Sequence, residues 1–521
     1  MNIAQGLAHA RKVFGTHEAV TCGEIHYTWN DFDQRTDALA RGLAALDVQR
    51  GDRVAVLMLN CHRYLELYYA CARMGAVIVP LNIRLARPEI VFILNDSESK
   101  VLVVDKTFAG HITGRDTTPT VSHIVYIGDE TPLGMIHYDD VVSKGATMQE
   151  SVDQEMDDND LSGLFYTGGT TGRAKGVMLS HKNVMSNATN ITIAAGYSQR
   201  DVYLHAAPMF HLADIASTFS VTMLGARHVF NPLFNSVQVL EAIQREKVTA
   251  TLLVPTMINV VLNHPNVDNY DVSSLRRIIY GASPMPVELL KQGIRKWGQI
   301  FAQGYGMTET APVLTLLEPW DHIIEGTPEQ MRRLSSCGKE VLGTEVRVVN
   351  AQEEDVQPGE IGEIIARGPN VMMGYWHMPE ATAAAIVDGW MHTGDLATVD
   401  EENYIYIVDR AKDMIISGGE NIYSVEVENA LYTHPAVLEV AVIGIPDEQW
   451  GEAVHAIVVC KPGMSVSDEA LIAHARTLIA GYKVPRSIEF MPEALPKSGA
   501  GKILKRDLRE KYWAGKSRNV N

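Results

Sequence analysis

A glycine- and hydroxyl-rich segment, LFYTGGTTGRAKGVMLSH, carries the strongest chemical signal in this sequence. Thr167 to Gly172 follow the strand-like LFY run, and Lys175 comes just before a second apolar stretch. The glycines let the backbone present N–H groups to an anion, while the hydroxyls add donors and the lysine adds positive charge. The spacing differs from GxxxxGK[ST], because Lys175 follows Ala174 and precedes Gly176. The segment predicts a polyphosphate-binding loop of another kind, and a flexible hairpin turn is the alternative.

Two further segments hold residues suited to a nucleotide. QGYGMTET places Tyr305 between two glycines, where its ring could stack on a base, and its Glu309 could ligate Mg²⁺. In GWMHTGDL, Asp395 follows a Thr-Gly pair at a predicted strand end, where a carboxylate can accept hydrogen bonds from ribose hydroxyls. Taken singly, a packed tyrosine and an ordinary turn aspartate are the alternatives.

Two basic residues further along could neutralise phosphate charge. Arg410 lies fifteen residues after Asp395. Lys502 follows a glycine-rich turn in LPKSGAGKILKRDLRE (495–510), from which its side chain could swing into an active site. A surface arginine and a solvated basic tail are the alternatives. Because all of these segments occur in one chain, we interpret them together as a nucleotide site.

The elements that must hold these residues alternate between strands and helices. RVAVLML (53–59) and VLVVD (101–105) predict buried strands, and YLELYYACARMGA (64–76) predicts a helix between them. Further strands are predicted at 250–255, 276–283 and 299–306. This alternation predicts an α/β fold with parallel sheets covered by helices on both faces. The pattern restarts after about residue 410, which predicts a large domain followed by a small mobile α/β domain.

Length, charge and cysteine usage exclude several classes of protein. The 521 residues suit several domains, and 46% apolar with 21% charged residues is typical of a folded chain with large cores. A net charge of −18 argues against a nucleic-acid partner but allows a local basic pocket for a nucleotide or CoA. We find no signal peptide or integral membrane segment. The five scattered cysteines include no CxxC, so we expect reduced thiols and a cytoplasmic location.

The same segments, in this order, resemble those of the AMP-forming acyl-CoA synthetases. These belong to the adenylate-forming superfamily, with peptide-synthetase adenylation domains and firefly-type luciferases. The resemblance extends from HYTWNDFDQRTDALARGL (26–43) to DLREKY (507–512), about nine-tenths of the chain. The family's phosphate loop, YTSGTTGxPKGV, corresponds to residues 166–177. This sequence departs from it at Gly168, which removes one hydroxyl, and at Ala174, which replaces a proline.

The resemblance implies a role for each matching residue. The residues implied to hold the ATP phosphates are Thr167, Gly168, Gly169, Thr170, Thr171, Gly172 and Lys175. Those implied to surround the adenine are Gly281, Ala282, Ser283, Gly304, Tyr305, Gly306 and Met307. Thr308 is implied to contact the α-phosphate and Glu309 to ligate Mg²⁺, helped by Thr167. Asp395 and Arg410 are implied to hold the ribose.

The resemblance also implies a division between two domains. Residues 1–410 would form the N-terminal adenylating domain of mixed sheets and helices that binds ATP and the acid. Residues 411–521 would form a small mobile α/β lid that turns near Lys412. Lys502 on the lid would promote adenylation. Rotation would then withdraw Lys502 and bring the Gly418-Gly419 segment to the site, opening a path for CoA.

The implied reaction has two halves and one set of catalytic residues. An acid and ATP give acyl-AMP and pyrophosphate, and acyl-AMP and CoA then give acyl-CoA and AMP. The implied catalytic residues are Lys502, Glu309, Thr308 and Lys175. The implied cofactors and co-substrates are ATP, Mg²⁺ and coenzyme A. A phosphopantetheine carrier protein in place of free CoA is an alternative, and a homodimer is left open.

The segment PMFHLADIAS (208–217) resembles the part of the family that lines the acid site. The residues implied to line this pocket are Met209, His211, Ala213, Ala216 and Gly281; a structural role is the alternative for His211. No lysine or arginine stands in the segment to pair a second carboxylate, so we predict a monocarboxylic acid. A medium- to long-chain fatty acid is favoured, which would place the protein in lipid metabolism. A cinnamate- or ferulate-like acid is the alternative.

Overall fold

The computed structural model describes residues 2–111, 117–167, 174–499 and 501–514. Helices and strands alternate through most of it, which confirms the predicted α/β class. The helices are α1 (Ile3–Phe14), α2 (Trp29–Ala44), α3 (His62–Met74), α4 (Arg87–Asp96), α5 (Tyr138–Ala146), α6 (His181–Ala194), α7 (Leu212–Met223), α8 (Ser236–Glu246), α9 (Pro255–Leu262), α10 (Val287–Trp297), α11 (Pro328–Arg332), α12 (Pro379–Ala385), α13 (Ser424–Tyr432), α14 (Asp468–Arg476) and α15 (Lys505–Trp513).

The first large sheet carries several of the predicted site residues at its strand ends. Its strands are β1 (Glu18–Cys22), β2 (Ile25–Thr28), β10 (Val202–His205), β11 (Arg227–Phe230), β12 (Ala250–Leu252), β13 (Arg277–Gly281), β14 (Phe301–Gly306), β15 (Val313–Leu317) and β16 (Lys339–Glu340). They lie in the order β16-β15-β14-β13-β12-β10-β11-β1-β2. The six strands from β14 to β1 in this order are parallel, so the carboxyl ends of β10, β12, β13 and β14 meet at one edge. Such an edge is where open α/β sheets bind their ligands.

The second large sheet contains the two strands that flank the predicted phosphate loop. Its strands are β3 (Arg53–Leu57), β4 (Val77–Pro80), β5 (Ser99–Asp105), β6 (His123–Ile127), β7 (Ile136–His137), β8 (Leu161–Thr167), β9 (Lys175–Ser180) and β19 (Gly374–Tyr375). They lie in the order β19-β9-β8-β4-β3-β5-β6-β7. Val54 to Leu57 of the central strand β3 are fully buried, as expected for a continuous apolar run in a parallel sheet.

Two smaller sheets follow in the second half of the chain. One contains β17 (Glu345–Val349), β18 (Gly362–Arg367), β20 (Ile386–Val387), β21 (Trp390–Val399) and β22 (Ile405–Arg410). The other contains β23 (Ile415–Ser417), β24 (Glu420–Ile422), β25 (Val437–Asp447), β26 (Gly451–Cys460) and β27 (Ser487–Phe490), and it forms the small C-terminal domain with α13, α14 and α15. The turn from residue 411 to residue 414 joins the two sheets. The boundary between residues 410 and 411 stays a prediction.

Both large sheets are mixed. The first is antiparallel at both edges and the second at one, because the connections from β1 to β2, from β8 to β9 and from β14 to β15 are too short for a crossover helix. One expectation about strand positions was wrong. Asp395 lies inside β21 rather than at a strand end, because β21 continues to Val399 by pairing with β22. In the part of the chain that the structure describes, no helix has the length and apolar composition needed to cross a bilayer.

Close contact between two glycines sets the edge of the first large sheet. Gly281 pairs with Gly304 across β13 and β14, and a Cβ on Gly281 would overlap the carbonyl oxygen of Gly304. We predict that Gly281→Ala forces these strand ends apart and destabilises the protein by about 1–3 kcal/mol, the usual cost of overpacking. Gly481→Ala is the matched control, because no atom lies within 4 Å of its added Cβ. The free energies of unfolding of both variants are measured by thermal and urea denaturation. Equal free energies of unfolding would contradict the prediction.

Candidate active site

The end of the phosphate-loop hairpin is fixed by strand pairing. Thr167 and Lys175 face each other in the antiparallel pair β8–β9. The residues predicted to form the loop between them, Gly168, Gly169, Thr170, Thr171 and Gly172, lie outside the described residues. The ammonium of Lys175 lies 4.7 Å from the ring centre of Tyr375, in β19 beside the hairpin. Tyr375 therefore lies beside the ammonium of Lys175 at the start of β9.

Tyr375 connects Lys175 to the predicted metal ligand. Its hydroxyl donates a 2.8 Å hydrogen bond to Oε1 of Glu309. Glu309 stands in the single helical turn Thr308–Thr310 directly after β14, and only 7% of its surface is exposed. Burial raises the pKa of this carboxyl, while the charges of Arg410 and Lys175 oppose that shift. A nearly buried carboxylate thus faces a cluster of cationic groups.

Asp395 joins the predicted base-stacking and ribose residues. Its Oδ2 accepts a 2.9 Å hydrogen bond from the Tyr305 hydroxyl, and its Oδ1 lies 3.2 Å from Nε of Arg410. Asp395 and Arg410 are direct partners in the register of β21 and β22. The pairing of β21 with β22 therefore places Asp395 next to Arg410, and Tyr305 reaches Asp395 from β14 of the first large sheet. The structure brings together three residues that are far apart in the sequence.

Lys502 belongs to the same electrostatic cluster, although it lies on the small domain. Burial lowers its pKa to about 7, and the positive charge of Arg410 adds to this effect. Asp395 and Asp413 act in the opposite direction on the pKa of Lys502. Asp413, in the turn between the domains, was not identified from the sequence, because a single acidic residue in a polar turn carries no distinguishing pattern. The small domain is docked with Lys502 directed at the nucleotide-site residues.

The predicted adenine-lining residues occupy the ends of β13 and β14. Ala282 has a left-handed backbone with φ of 63°, and it is exposed next to half-buried Ser283. A Cβ on Gly306 would overlap the carbonyl oxygen of Pro312. The backbone N–H of Met307 donates to Thr310 Oγ1 at 3.1 Å, which shapes the turn that carries Thr308 and Glu309. Backbone contacts therefore determine the shape of the ends of β13 and β14.

The predicted acid-pocket segment forms the start of α7. Nδ1 of His211 accepts a 3.1 Å hydrogen bond from the N–H of Ala213, so this histidine caps the helix. Burial lowers the pKa of His211 to about 4, and the charge of Lys502 contributes to this shift. His211 is thus neutral at physiological pH and near Lys502. Met209 is fully buried, and its carbonyl accepts a 2.9 Å hydrogen bond from Tyr68.

A buried polar network under α7 was missed by the sequence reasoning. Ser217 Oγ lies 3.0 Å from the Tyr197 hydroxyl. One turn earlier, Asp214 Oδ2 lies 2.6 Å from Nδ1 of His205, whose Nε2 lies 2.9 Å from Nδ1 of His228. The side chains of His205 and Asp214 are completely buried. Their spacing in the sequence gives no signal, since the network joins one helix to two strands.

The remaining predicted residues lie at or beyond the junction between the domains. Lys412 is exposed in the turn between β22 and β23, and its role as the hinge stays a prediction. Gly418 and Gly419 form the tight turn between β23 and β24, with φ of 64° and 86°. The contact described for Gly418 is with Trp450 of the small domain, whose carbonyl accepts its N–H at 2.8 Å. This turn is therefore placed within the small domain.

Comparison with known proteins covers nearly the whole chain. Residues 7–376 match the AMP-binding enzyme family, and residues 426–502 match the AMP-binding enzyme C-terminal domain. A feruloyl-CoA synthase from Amycolatopsis sp. is 41% identical over 95% of this chain and 96% of its own. The long-chain fatty acid–CoA ligase FadD13 of Mycobacterium tuberculosis (strain H37Rv) is 36% identical over 94% of each chain. The crystal structure of the anthranilate CoA ligase AuaEII with anthranoyl-AMP has a TM-score of 0.90 at 28% identity, covering 98% of this chain and 97% of that one.

The lowered pKa of Lys502 has a direct chemical consequence. Because only a neutral amine attacks an acylating reagent, we predict that Lys502 is labelled by acetic anhydride with a midpoint near pH 7. Lys106, whose pKa is raised by its hydrogen bond and ion pair with Asp129, should react only at much higher pH. Arg410→Gln should move the midpoint of Lys502 upward, because it removes a neighbouring positive charge. Peptide mass spectrometry measures the labelling, and equal midpoints for both lysines would contradict the assignment.

Proposed function

This chain belongs to the AMP-binding enzyme family and is an AMP-forming acid–CoA ligase, and we propose that the residues assembled around Asp395 and Lys502 carry its adenylation step. The observation that carries the proposal is a connected set of contacts: Lys175 lies on the ring of Tyr375, which bonds to Glu309, and Arg410 pairs with Asp395. The charge of Arg410 acts on both Glu309 and Lys502, which connects the lysine of the small domain to this set. Attack of a carboxylate on the α-phosphate of ATP brings two anions together. Charge neutralisation and positioning should therefore dominate catalysis.

Each residue in the cleft has a distinct task in this proposal. Thr167 and Lys175 hold the phosphates together with the predicted loop, and Thr308 contacts the α-phosphate. The paired Asp395 and Arg410 hold the ribose. Lys502 bridges the carboxylate and the phosphate. One lysine charge about 4 Å from a phosphate charge contributes about 4 kcal/mol at an effective dielectric constant of about 20, before the cost of desolvation.

The donor set also fits a magnesium ion. Among the described residues, no group of three or more His, Cys, Asp or Glu side chains could enclose a metal. Mg²⁺ bound with ATP commonly uses one or two carboxylates together with phosphate oxygens and water. Glu309, buried and facing the phosphate side through Tyr375 and Lys175, suits this arrangement, with Thr167 as an additional oxygen ligand. The ion would supply further charge neutralisation at the phosphates.

The second half-reaction requires a different position of the small domain. We assign the hinge to Lys412, in the exposed turn between β22 and β23. Rotation there withdraws Lys502 and brings the Gly418-Gly419 turn to the cleft, so that the CoA thiol reaches the acyl-AMP. One site then performs both steps in sequence.

Removal of the Lys502 amine should separate the two half-reactions. We predict that Lys502→Ala abolishes formation of acyl-AMP, because the bridging charge is lost, and leaves thioester formation from supplied acyl-AMP unchanged. Pyrophosphate release and acyl-CoA formation are measured separately in the same preparation. Lys461→Ala, at another lysine of the small domain, is the control. Equal loss of both half-reactions in Lys502→Ala would contradict the proposed role.

For the acid, we propose an aromatic monocarboxylic acid of the cinnamate or ferulate type, which reverses the preference given by the sequence. The 41% identity to a feruloyl-CoA synthase over 95% of the chain supports this choice. The buried network under α7 supports it too, because Ser217 and Tyr197 lie one turn behind Ala213, hydrogen-bonded and buried. A long alkyl chain passing there would have to separate the Ser217 and Tyr197 hydroxyls and leave both buried without each other as partner, at a cost of about 1–3 kcal/mol each.

A medium- to long-chain fatty acid is the second candidate. It is favoured by the 36% identity to the long-chain fatty acid–CoA ligase FadD13 over 94% of the chain. The small side chains of Ala213 and Ala216 leave space that an alkyl chain could also fill. The cytoplasmic location, the homodimer and a carrier-protein acceptor stay predictions.

A panel of acids distinguishes these candidates. AMP and acyl-CoA formation are measured with cinnamate, ferulate and straight-chain acids from acetate to oleate, with and without CoA. We predict the highest kcat/KM for a hydroxycinnamate, with AMP release that depends on CoA. A maximum at a long-chain acid would overturn the aromatic assignment, and adenylation without CoA-dependent turnover would indicate a carrier protein.

Two serine variants of α7 make the panel sharper. We place the floor of the acid pocket at Ser217, which is buried one turn after Ala213, so Ser217→Gly should open the floor and shift the preference towards longer acids. Ser220→Gly is the matched control, because this serine also lies in α7 and its Oγ bonds to the carbonyl of Ala188, 2.7 Å away. Each substitution places a glycine in the same helix, at a similar cost of about 1 kcal/mol. The same shift in both variants would contradict the assignment of the floor to Ser217.

A further inference from the structure

The glycine-rich segment that carries Lys502 is a tight hairpin with its own hydrogen bonds. The N–H of Ser498 donates to the carbonyl of Lys502 at 2.7 Å, and the N–H of Gly501 donates to the carbonyl of Ser498 at 2.9 Å. Lys497 and Ile503 pair as an antiparallel bridge. Lys502 therefore moves with the backbone of this hairpin, and the position of the hairpin determines where its amine lies.

The loop after β4 in the large domain contacts one side of the hairpin. Nη1 of Arg84 donates a 3.2 Å hydrogen bond to the carbonyl oxygen of Ser498. A Cβ on Gly499 would overlap the side-chain amide of Asn82. Oδ1 of Asn82 also accepts the N–H of Arg84 at 3.0 Å, so this loop is held in shape independently of the Arg84 side chain.

The first turn of α9, which follows β12, contacts the other side. Oγ1 of Thr256 donates a 3.4 Å hydrogen bond to the carbonyl oxygen of Gly501. A Cβ on Gly501 would lie 2.9 Å from Cγ2 of Val254, and the φ of 83° at this glycine is itself unfavourable for other residues. Glycines at positions 499 and 501 thus allow the hairpin to approach a loop and a helix start of the large domain closely.

We propose that Arg84 and Thr256 form a latch that holds the small domain in the adenylating position, which rests on the function proposed above for Lys502. The two donors bind carbonyl groups on the two sides of the hairpin, and they come from separate segments of the large domain, the loop after β4 and the start of α9. Rotation of the small domain must break both contacts. The latch therefore stabilises one of the two positions of the domain and shifts the equilibrium between them.

The latch should influence the two half-reactions in opposite directions. Arg84→Ala and Thr256→Val should each lower the rate of acyl-AMP formation by about tenfold, the usual effect of losing one hydrogen bond to a charged or well-placed donor. Thioester formation from supplied acyl-AMP should be unchanged or faster, because the competing position is weakened. Arg295→Ala, which removes an exposed arginine at the end of α10, should change neither rate.

A second variant tests the same contact by crowding. Gly499→Ala places a methyl group against Asn82 only when the hairpin is docked, so it should slow adenylation and spare thioester formation. Equal loss of both half-reactions in Arg84→Ala, Thr256→Val and Gly499→Ala would overturn the latch, as would unchanged rates in all three.

A cross-link separates the latch from the proposed role of Lys502. Asn82→Cys combined with Gly499→Cys should form a disulfide under mild oxidation, with or without an additional Lys502→Ala substitution. The cross-linked enzyme should keep adenylation and lose thioester formation until reductant is added. If Lys502→Ala alone leaves adenylation intact, the role of the lysine fails while the cross-link still reports docking. Absence of the cross-link in folded protein would overturn the latch itself.

Discussion

The nearly buried carboxylate of Asp395 is the group on which the candidate site depends. It accepts a hydrogen bond from the Tyr305 hydroxyl and forms an ion pair with Arg410. Its negative charge also acts to raise the pKa of Lys502. Docking of the small domain brings a lysine next to an arginine, which is electrostatically unfavourable without anions nearby. Burial, and after it the charge of Arg410, lower the pKa of Lys502 in this position. A triphosphate and a carboxylate supply the missing negative charge, so binding of the substrates and docking of the domain should favour each other.

The shape of the cleft depends on backbone contacts that only glycine permits. Gly281 packs against the carbonyl oxygen of Gly304 where β13 and β14 end. Gly306 packs against the carbonyl oxygen of Pro312 at the end of β14. These contacts bring Tyr305, Thr308 and the adenine-lining segment to one edge of the sheet. The position of this edge therefore rests on close backbone contacts within the chain itself.

The small domain is a separate packing unit. It has its own apolar core, which includes Ile415, Val442, Val458 and Leu471. Its contacts with the large domain include a buried hydrogen bond, in which Asp409 of β22 accepts the N–H of Ser424 at 2.5 Å, and packing of Tyr432 against the core of the large domain. The rotation proposed about the turn at Lys412 would therefore have to exchange these contacts while leaving the core of the small domain intact.

The chemical identity of the site could be predicted from local sequence. The Thr-Gly loop before Lys175, the Tyr305 and Glu309 segment and the hairpin of Lys502 each carry their residues within a few positions, where backbone geometry and side-chain type are encoded together. The alternation of strands and helices likewise predicted the α/β class, because burial on both faces requires continuous apolar runs. The resemblance to acyl-CoA synthetases rested on these short segments, and the family match confirmed it.

Contacts between distant segments could be known only from the folded chain. The hydrogen bond between Tyr375 and Glu309 joins residues 66 positions apart in the sequence, and the bond between Arg84 and Ser498 joins residues 414 positions apart. The pairs in the buried network under α7 are 9 and 23 positions apart. None of them has a local pattern, because their partners are selected by how the sheets and domains pack. The antiparallel sheet edges and the place of Asp395 inside β21 were decided in the same way, since strand pairing depends on which neighbour is present. The sequence therefore specified the reacting groups, while packing specified their partners and the position of the small domain.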